Sequence, residues 1–498
     1  MSQILSRDLN KNIQTLKEIF KDCDDISFRF IDIGGTEKIA ACFIFNDGLI
    51  NTTLIAEYAL QLLLTSSENE EFDLANLKSN LLGTIVKEAI AIPEVKEEGN
   101  LDKLADAVLY GETVLLVDKA DKGIILSSRG WATRGVEEPE SETVVRGPRD
   151  GFGETLKTNI TLVRRRIRDP RLKVKNMRIG RRSKTDIAIM YIDDIANETL
   201  LSEVKKRLNS VDIDAVGDSA ILEFLIEDNY LSPFPQIQNT ERPDTMAASI
   251  YEGRIGILVD NSPFALIVPA TLGTIMQSAE DYYSRWSITS VIRLLRALAM
   301  FLATLSPALY IAITSFHPGL IPTKLTYHLA ASRVNVPFPS VVEAFLMEIT
   351  LEILRESGTR ISGPIGTTIG IVGGLIIGQA AVDAGIVSPL MIIIVAITTI
   401  AAFTLPSYEL AAGLRVWRFI FMILASIFGL YGIMLGIIIL STHLVRLNSF
   451  GIPFLSPYTG LGFEGGDLRD TLVKAPLRRL QLRPIFTFPK NKRRMKKR

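Results

Sequence analysis

Four glycines at four-residue spacing, Gly366, Gly370, Gly374 and Gly378, lie inside one apolar segment of this chain. A helix puts residues four apart on one face, so this segment carries a stripe without side chains. In a bilayer such a stripe lets a second helix approach backbone to backbone, which is how helices associate where no hydrophobic drive exists. Gln379 extends the same wide stripe. The segment, residues 363–382, is long enough to cross a hydrocarbon core, which takes about 20 apolar residues. A membrane protein with closely packed helices is the expectation. The stripe fits copies of the chain packed together, and it equally fits packing against other helices of the same chain. A hydrophobic constriction that opens by rewetting is one use of such a helix; packing beside a pore built elsewhere is the other.

Three further segments pass the same length test, residues 297–316, 387–405 and 417–440, whereas the chain before 290 is mixed and polar. The opening, Met1 to Lys21, alternates charged and apolar residues without the apolar core of a signal peptide. The large N-terminal part is therefore expected in the cytoplasm. Past His443 the tail carries 13 Lys/Arg against three Asp/Glu, which by the positive-inside rule also belongs to the cytoplasm. With both ends inside, the crossings must be even in number, and four fits.

Residues 340–357 are ambiguous. They interleave apolar residues with Glu343, Glu348, Glu352 and Glu356. Four carboxylates in one spanning helix are costly, so the segment is expected to be interfacial or re-entrant. Glu348, Glu352 and Glu356 share a face by i,i+4 spacing. They form either an acidic mouth that draws monovalent cations to a pore or an ordinary solvated face.

Before the membrane region, short apolar runs alternate with helical patterns. Residues 28–33 and 39–45 read as strands bounded by Gly34-Gly35 and Asp47-Gly48, and 113–117 with 123–126 as a hairpin. Residues 52–64 and 101–110 have helical periodicity. After the Gly/Pro-rich stretch 146–151, helices are expected near 154–168, 198–208 and 219–226. Strands are expected near 185–192, 255–259 and 264–268. The plan is a lead-in (1–26), two cytoplasmic α/β subdomains (27–145 and 146–285), a helical transmembrane domain (286–442) and a basic tail (443–498). The fold class is thus a two-part cytoplasmic α/β domain followed by an α-helical transmembrane region of four spans plus an amphipathic helix.

Few residues invite chemistry. The stretch 164–184 holds eleven basic residues, among them Arg164, Arg165, Arg166, Arg181 and Arg182, and one acid, Asp169. Such density suits phosphate contacts, but no aromatics interleave to stack on bases, so nucleic acid is not expected. Lipid headgroups, an acidic partner surface or a purely structural face are the readings kept. No P-loop or dinucleotide fingerprint is complete. His317, His328 and His443 lie too far apart in sequence for a metal site, and Cys23 and Cys42 supply no disulfide framework. Neither enzyme activity nor a cofactor is expected.

Several strings nonetheless form a signature. Leu126-Ser127-Ser128-Arg129-Gly130-Trp131, Thr133-Arg134-Gly135-Val136-Glu137-Glu138-Pro139-Glu140, Gly180-Arg181-Arg182-Ser183-Lys184-Thr185-Asp186 and Pro233-Phe234-Pro235-Gln236-Ile237-Gln238-Asn239-Thr240-Glu241-Arg242-Pro243-Asp244 occur in order. Ser306-Pro307-Ala308-Leu309-Tyr310 and Gly451-Ile452-Pro453-Phe454-Leu455-Ser456-Pro457 follow. Together they resemble the GerA family of spore germination proteins from about Ile26 onward. The resemblance implies the A subunit of a nutrient germinant receptor, multi-pass in the inner membrane of a bacterial endospore, with both termini on the core side. It implies a permease-like B subunit and a C-subunit lipoprotein as partners. It further implies a homo-oligomer that conducts monovalent cations through membrane lipids to trigger germination. A SpoVAF-like accessory channel and a non-conducting scaffold are the alternatives.

Overall fold

The computed structural model describes residues 4–33, 39–56, 95–130, 138–139, 142–360, 378–459 and 467–495. The chain divides into two compact units. The first comprises Met1–Glu227, Ile237–Pro269 and Gln481–Arg498, and the second Asp228–Gln236 and Ala270–Leu480.

The first unit holds two five-stranded sheets. One has the order β1-β2-β4-β5-β3, from β1 (Ile26–Ile33), β2 (Ile39–Asn46), β3 (Val95–Glu98), β4 (Thr113–Val117) and β5 (Gly123–Leu126). β1 pairs antiparallel with β2 along its whole length, Ile26 opposite Asn46 and Ile33 opposite Ile39. Helices α1 (Leu9–Ile19) and α2 (Leu101–Leu109) cover one face. Their Leu9, Ile13, Leu16, Leu104 and Val108 pack with Cys42, Ile44, Val114 and Leu116 of the sheet. Each helix opens on a side-chain cap, Asp8 and Asn100, which accepts backbone N–H groups that the first turn leaves unpaired.

The second sheet repeats this plan with the order β6-β7-β9-β10-β8, from β6 (Leu172–Ile179), β7 (Thr185–Ile192), β8 (Gln238–Thr240), β9 (Ile255–Val259) and β10 (Ala265–Val268). Its core joins α3 (Leu156–Arg164) and α6 (Pro243–Tyr251) to the strands through Ile160, Val163, Val174, Met190, Met246, Ile250 and Leu258. Helices α4 (Glu198–Ser210) and α5 (Ser219–Ile226) flank it. β6 falls inside the basic stretch, where charge obscures the alternation of Leu172 and Val174 with Lys173 and Lys175. Its outer edge is occupied by the backbone of residues 22–24: Asp24 donates to the Val174 carbonyl at 3.0 Å and Val174 to the Asp22 carbonyl at 3.2 Å. The same segment runs on into β1, so one stretch of chain ties the two sheets together.

The second unit is helical: α7 (Trp286–Phe316), α8 (Thr323–Ser332), α9 (Ser340–Arg360), α10 (Pro389–Phe403), α11 (Tyr408–Phe428) and α12 (Leu430–Arg446), followed by the two-residue strands β11 (Asn448–Ser449) and β12 (Ile452–Pro453). α7 rises about 46 Å at 1.5 Å per residue and packs against α9, α10, α11 and α12. Among the described residues two helices, α7 and α11, are long and apolar enough to cross a membrane; α10 and α12 are shorter apolar helices.

The span expected at 417–440 is not one helix. Gly429, at φ 58° and ψ −135°, ends α11 and starts α12, a conformation that only glycine adopts readily. The chain then folds back: a Cβ on Gly432 would strike the backbone of Leu424, and Gly436 lies against the Phe421 ring. Most of the glycine segment, 361–377, lies outside the described residues.

Candidate functional site

The helical unit has an apolar core that includes Ile311, Met391 and Phe421, and it also buries several charged side chains while many apolar ones are exposed. On α9, Val342, Leu346, Ile349 and Ile353 form one exposed face, while Glu343 and Glu348 are completely buried. Glu343 accepts from the Tyr310 hydroxyl at 3.1 Å and from the Ser388 backbone N–H and hydroxyl at 2.5 Å each. Arg333 lies 3.7 Å from its carboxylate. Glu348 pairs with Arg418 of α11 at 2.6 Å, both side chains at 1% exposure or less. Arg418 Nε donates to the Ala303 carbonyl of α7 at 2.8 Å, so this one pair ties three helices. Glu352 follows at the half-buried margin, 3.1 Å from Arg355 and 3.5 Å from Arg415. Glu356 is exposed.

The three glutamates grouped by spacing therefore occupy three environments. A solvated acid face was one reading of this helix, but Glu348 is buried and the outward face is apolar up to Glu356. The arginine partners went unnoticed in the sequence, although Arg418 stands inside an apolar segment, where an ionisable residue signals a functional or structural partner. In the first turns of α7, Arg293 and Arg296 are also buried, both on Asp281 at 3.0 and 2.8 Å, and Arg293 reaches Asp470 at 2.9 Å.

Of the glycine stripe, Gly366, Gly370 and Gly374 lie outside the described residues. Gly378 is buried, and a Cβ on it would stand 3.7 Å from Ile392 of α10, an ordinary contact. Gln379 is exposed and donates to Asp383 at 3.0 Å.

The basic stretch does not form one surface. Arg164 is fully buried on Asp25, with contacts of 2.7 and 2.9 Å, and also donates to the Leu172 carbonyl. Arg166 binds both oxygens of Asp150 at 2.6 Å. Arg165 is half-buried. Of the five arginines singled out, Arg181 and Arg182, beside Asp212 and Asp214 in the β6–β7 turn region, are the exposed ones, and Arg168, Arg171, Arg178 and Lys184 of the same stretch are exposed as well.

Asp25 also lines a cleft of about 520 Å³ in the first unit. Its lining mixes the carboxylates Asp24, Asp47, Asp186 and Asp260 with Lys157 and Arg178. Several are already engaged: Asp186 with Arg178 at 2.7 Å, Asp47 with the Ser27 hydroxyl at 2.9 Å, and Asp260 with the Leu156 N–H at 3.0 Å.

The family model described as Bacillus/Clostridium GerA spore germination protein matches residues 14–486. Spore germination protein B1 of Bacillus subtilis (strain 168) is 41% identical over 488 residues, 98% of this chain and 99% of the relative. Spore germination protein KA of the same strain is 41% identical over 473 residues, 95% of this chain and 85% of the relative. Stage V sporulation protein AF, also from that strain, is 33% identical over 448 residues, 90% and 88% of the two chains. Among solved structures, the N-terminal domain of the A subunit of the Bacillus megaterium spore germinant receptor GerK3 is 33% identical and aligns over 55% of this chain and 98% of that domain, with a TM-score of 0.43. A match running through both the sheet-bearing and the helical unit makes this chain a member of the GerA family of spore germination proteins.

Proposed function

We propose that the chain is the A-type membrane subunit of a nutrient germinant receptor in the inner membrane of an endospore. It works with a permease-like B subunit and a lipoprotein C subunit, and copies of it assemble into a cation channel. The observation that carries the membrane part is α9, whose Glu343 and Glu348 are buried while Val342, Leu346, Ile349 and Ile353 make its outward face apolar up to Glu356. That polarity is stable against lipid or another apolar helix and costly against water.

Gln481–Arg498 packs as part of the first unit, with Lys490 N–H on the Ile195 carbonyl at 2.9 Å and Arg483 on the Tyr251 carbonyl at 2.7 Å. This supports placing both ends of the chain on one side of the membrane and an even number of crossings. The sequence reading counted four; the break at Gly429 divides one of these into two helices, so the count stays part of the proposal. Gly366, Gly370 and Gly374 supply the packing seam or the pore wall, and Glu352 and Glu356 an acidic approach to it. Nutrient shifts the closed–open equilibrium only by its differential affinity for the two arrangements.

Potassium efflux from liposomes holding the purified full-length chain, alone and with its B and C subunits, tests the channel. Efflux that requires this chain supports it. Tight liposomes under every combination would leave a scaffold. A second reading, an accessory channel without its own nutrient sensor, is favoured by the likeness to stage V sporulation protein AF. Genes for B and C subunits beside this one support the receptor, and a sporulation operon without them the accessory channel.

A further inference from the structure

The Pro233-Phe234-Pro235-Gln236 string separates α5 from β8, both of the first unit, yet Asp228–Gln236 belongs to the second. The loop is closed on itself by the Gln236 side chain, which accepts from the Asn229 N–H and donates to the Asn229 carbonyl, each at 2.8 Å. Both of its ends are fastened to the turn that follows α12. Asp228 accepts from the Phe450 N–H at 2.6 Å, and the Gln236 carbonyl accepts from the Ser449 hydroxyl at 2.5 Å. Between them Ser232 Oγ lies 3.0 Å from His443 Nε2 in the last turn of α12. Phe234 is 2% exposed in the helical core, its ring 5.9 Å from His443 and 6.4 Å from Phe454. Gly413 of α11 makes room for the loop: a Cβ there would sit 2.5 Å from the Pro233 carbonyl oxygen.

We infer that Asp228–Gln236 is a coupling strap, through which a displacement in the N-terminal unit is passed to the ends of α11 and α12. Glu227 and Ile237 join it covalently to the first unit, one at each end. Six separate attachments hold it on the second unit, so the strap and the helix ends move together or detach together. The inference rests on the proposed receptor role and adds to it that the ends of α11 and α12 belong to the gate.

Two variants separate docking from coupling. Gly413→Ala puts a methyl group against the strap while making α11 a better helix. In the full-length protein in lipid nanodiscs, amide exchange at residues 443–456 should rise about tenfold and that of 286–303 stay unchanged, as expected when one region opens locally. Exchange within about twofold of the parent, or an equal rise in every helix, overturns the docking. A flexible Gly/Ser insertion of about twelve residues between Glu227 and Asp228 keeps every strap contact but slackens the link. Exchange at 443–456 should then match the parent. Potassium release from spores given the twenty common L-amino acids, glucose and potassium salt should fall at least about tenfold, a loss equivalent to 1.4 kcal/mol or more of coupling. Undiminished release overturns the coupling. Parent spores that release nothing would count against the receptor role instead, and the exchange results would still decide the docking.

Discussion

Arg418 holds the helical unit together. Its guanidinium meets Glu348 of α9 and the Ala303 carbonyl of α7, with neither charged side chain reaching solvent. Removing one partner of such a pair leaves a buried charge uncompensated and costs about 3–5 kcal/mol, whereas replacing both with apolar groups is often neutral. Arg418→Met alone should therefore lower the thermal midpoint of the purified protein sharply, and Glu348→Leu with Arg418→Met should recover most of it. A double variant as unstable as the single would mean that the pair does not act as a unit. Asp150 answers to pH. Burial alone would raise its pKa, but the two Arg166 hydrogen bonds hold it below the usual carboxylate range. Its folded value lies below its unfolded one, so the stabilisation is complete above about pH 4 and fades as pH falls through the folded value. Asp150→Asn should flatten the acid side of a stability-versus-pH curve and leave neutral pH within about 1 kcal/mol, as the pair is partly exposed. The two thiols are closed to chemistry: burial pushes Cys42 up to about 12 and raises Cys23 as well. Maleimide at pH 8 should label neither until denaturant is added; labelling of the native protein would contradict their burial. That both cysteines are unpaired was legible in the sequence, whereas the Arg418–Glu348 partnership, across 70 residues, was not.

Among the elements, the legible ones were those whose hydrophobic period stood clear. β2, β4, β7 and β9 are short apolar runs bounded by turn residues and emerge where the pattern puts them. β6 was hidden because charge density dominated a stretch that alternates by twos. α9 was seen as amphipathic, but periodicity gives a face and not its surroundings, and the buried face turned out to be the charged one. The hairpin of α11 and α12 was missed because no charged residue or proline marks a break between 419 and 440, and the break is a backbone event at a single glycine. Gly429→Ala should therefore cost about 1–3 kcal/mol, since it forces a non-glycine residue into that conformation, beside a Phe316 Cβ only 3.0 Å away. Gly378→Ala should be tolerated, because its Cβ meets Ile392 at an ordinary 3.7 Å. Thermal melts of the two variants in one detergent would check both, and equal losses would refute the distinction.

For the whole molecule, two features combine. An antiparallel two-sheet unit gathers the first part of the chain and its last residues, and a helical unit buries Glu343, Glu348 and Arg418 while exposing apolar side chains. The first arrangement keeps both ends together, and the second suits an apolar surrounding. Family membership adds germination as the setting, and the glycine stripe is the seam proposed for helix closure. Potassium release from spores in which this chain is the sole receptor A subunit joins these points, with the parent compared with Gly370→Leu at equal protein level. Release lost in the variant is the outcome expected if the glycine helix assembles or lines the channel. Release at the parent's rate would contradict it and move the ion path out of this helix.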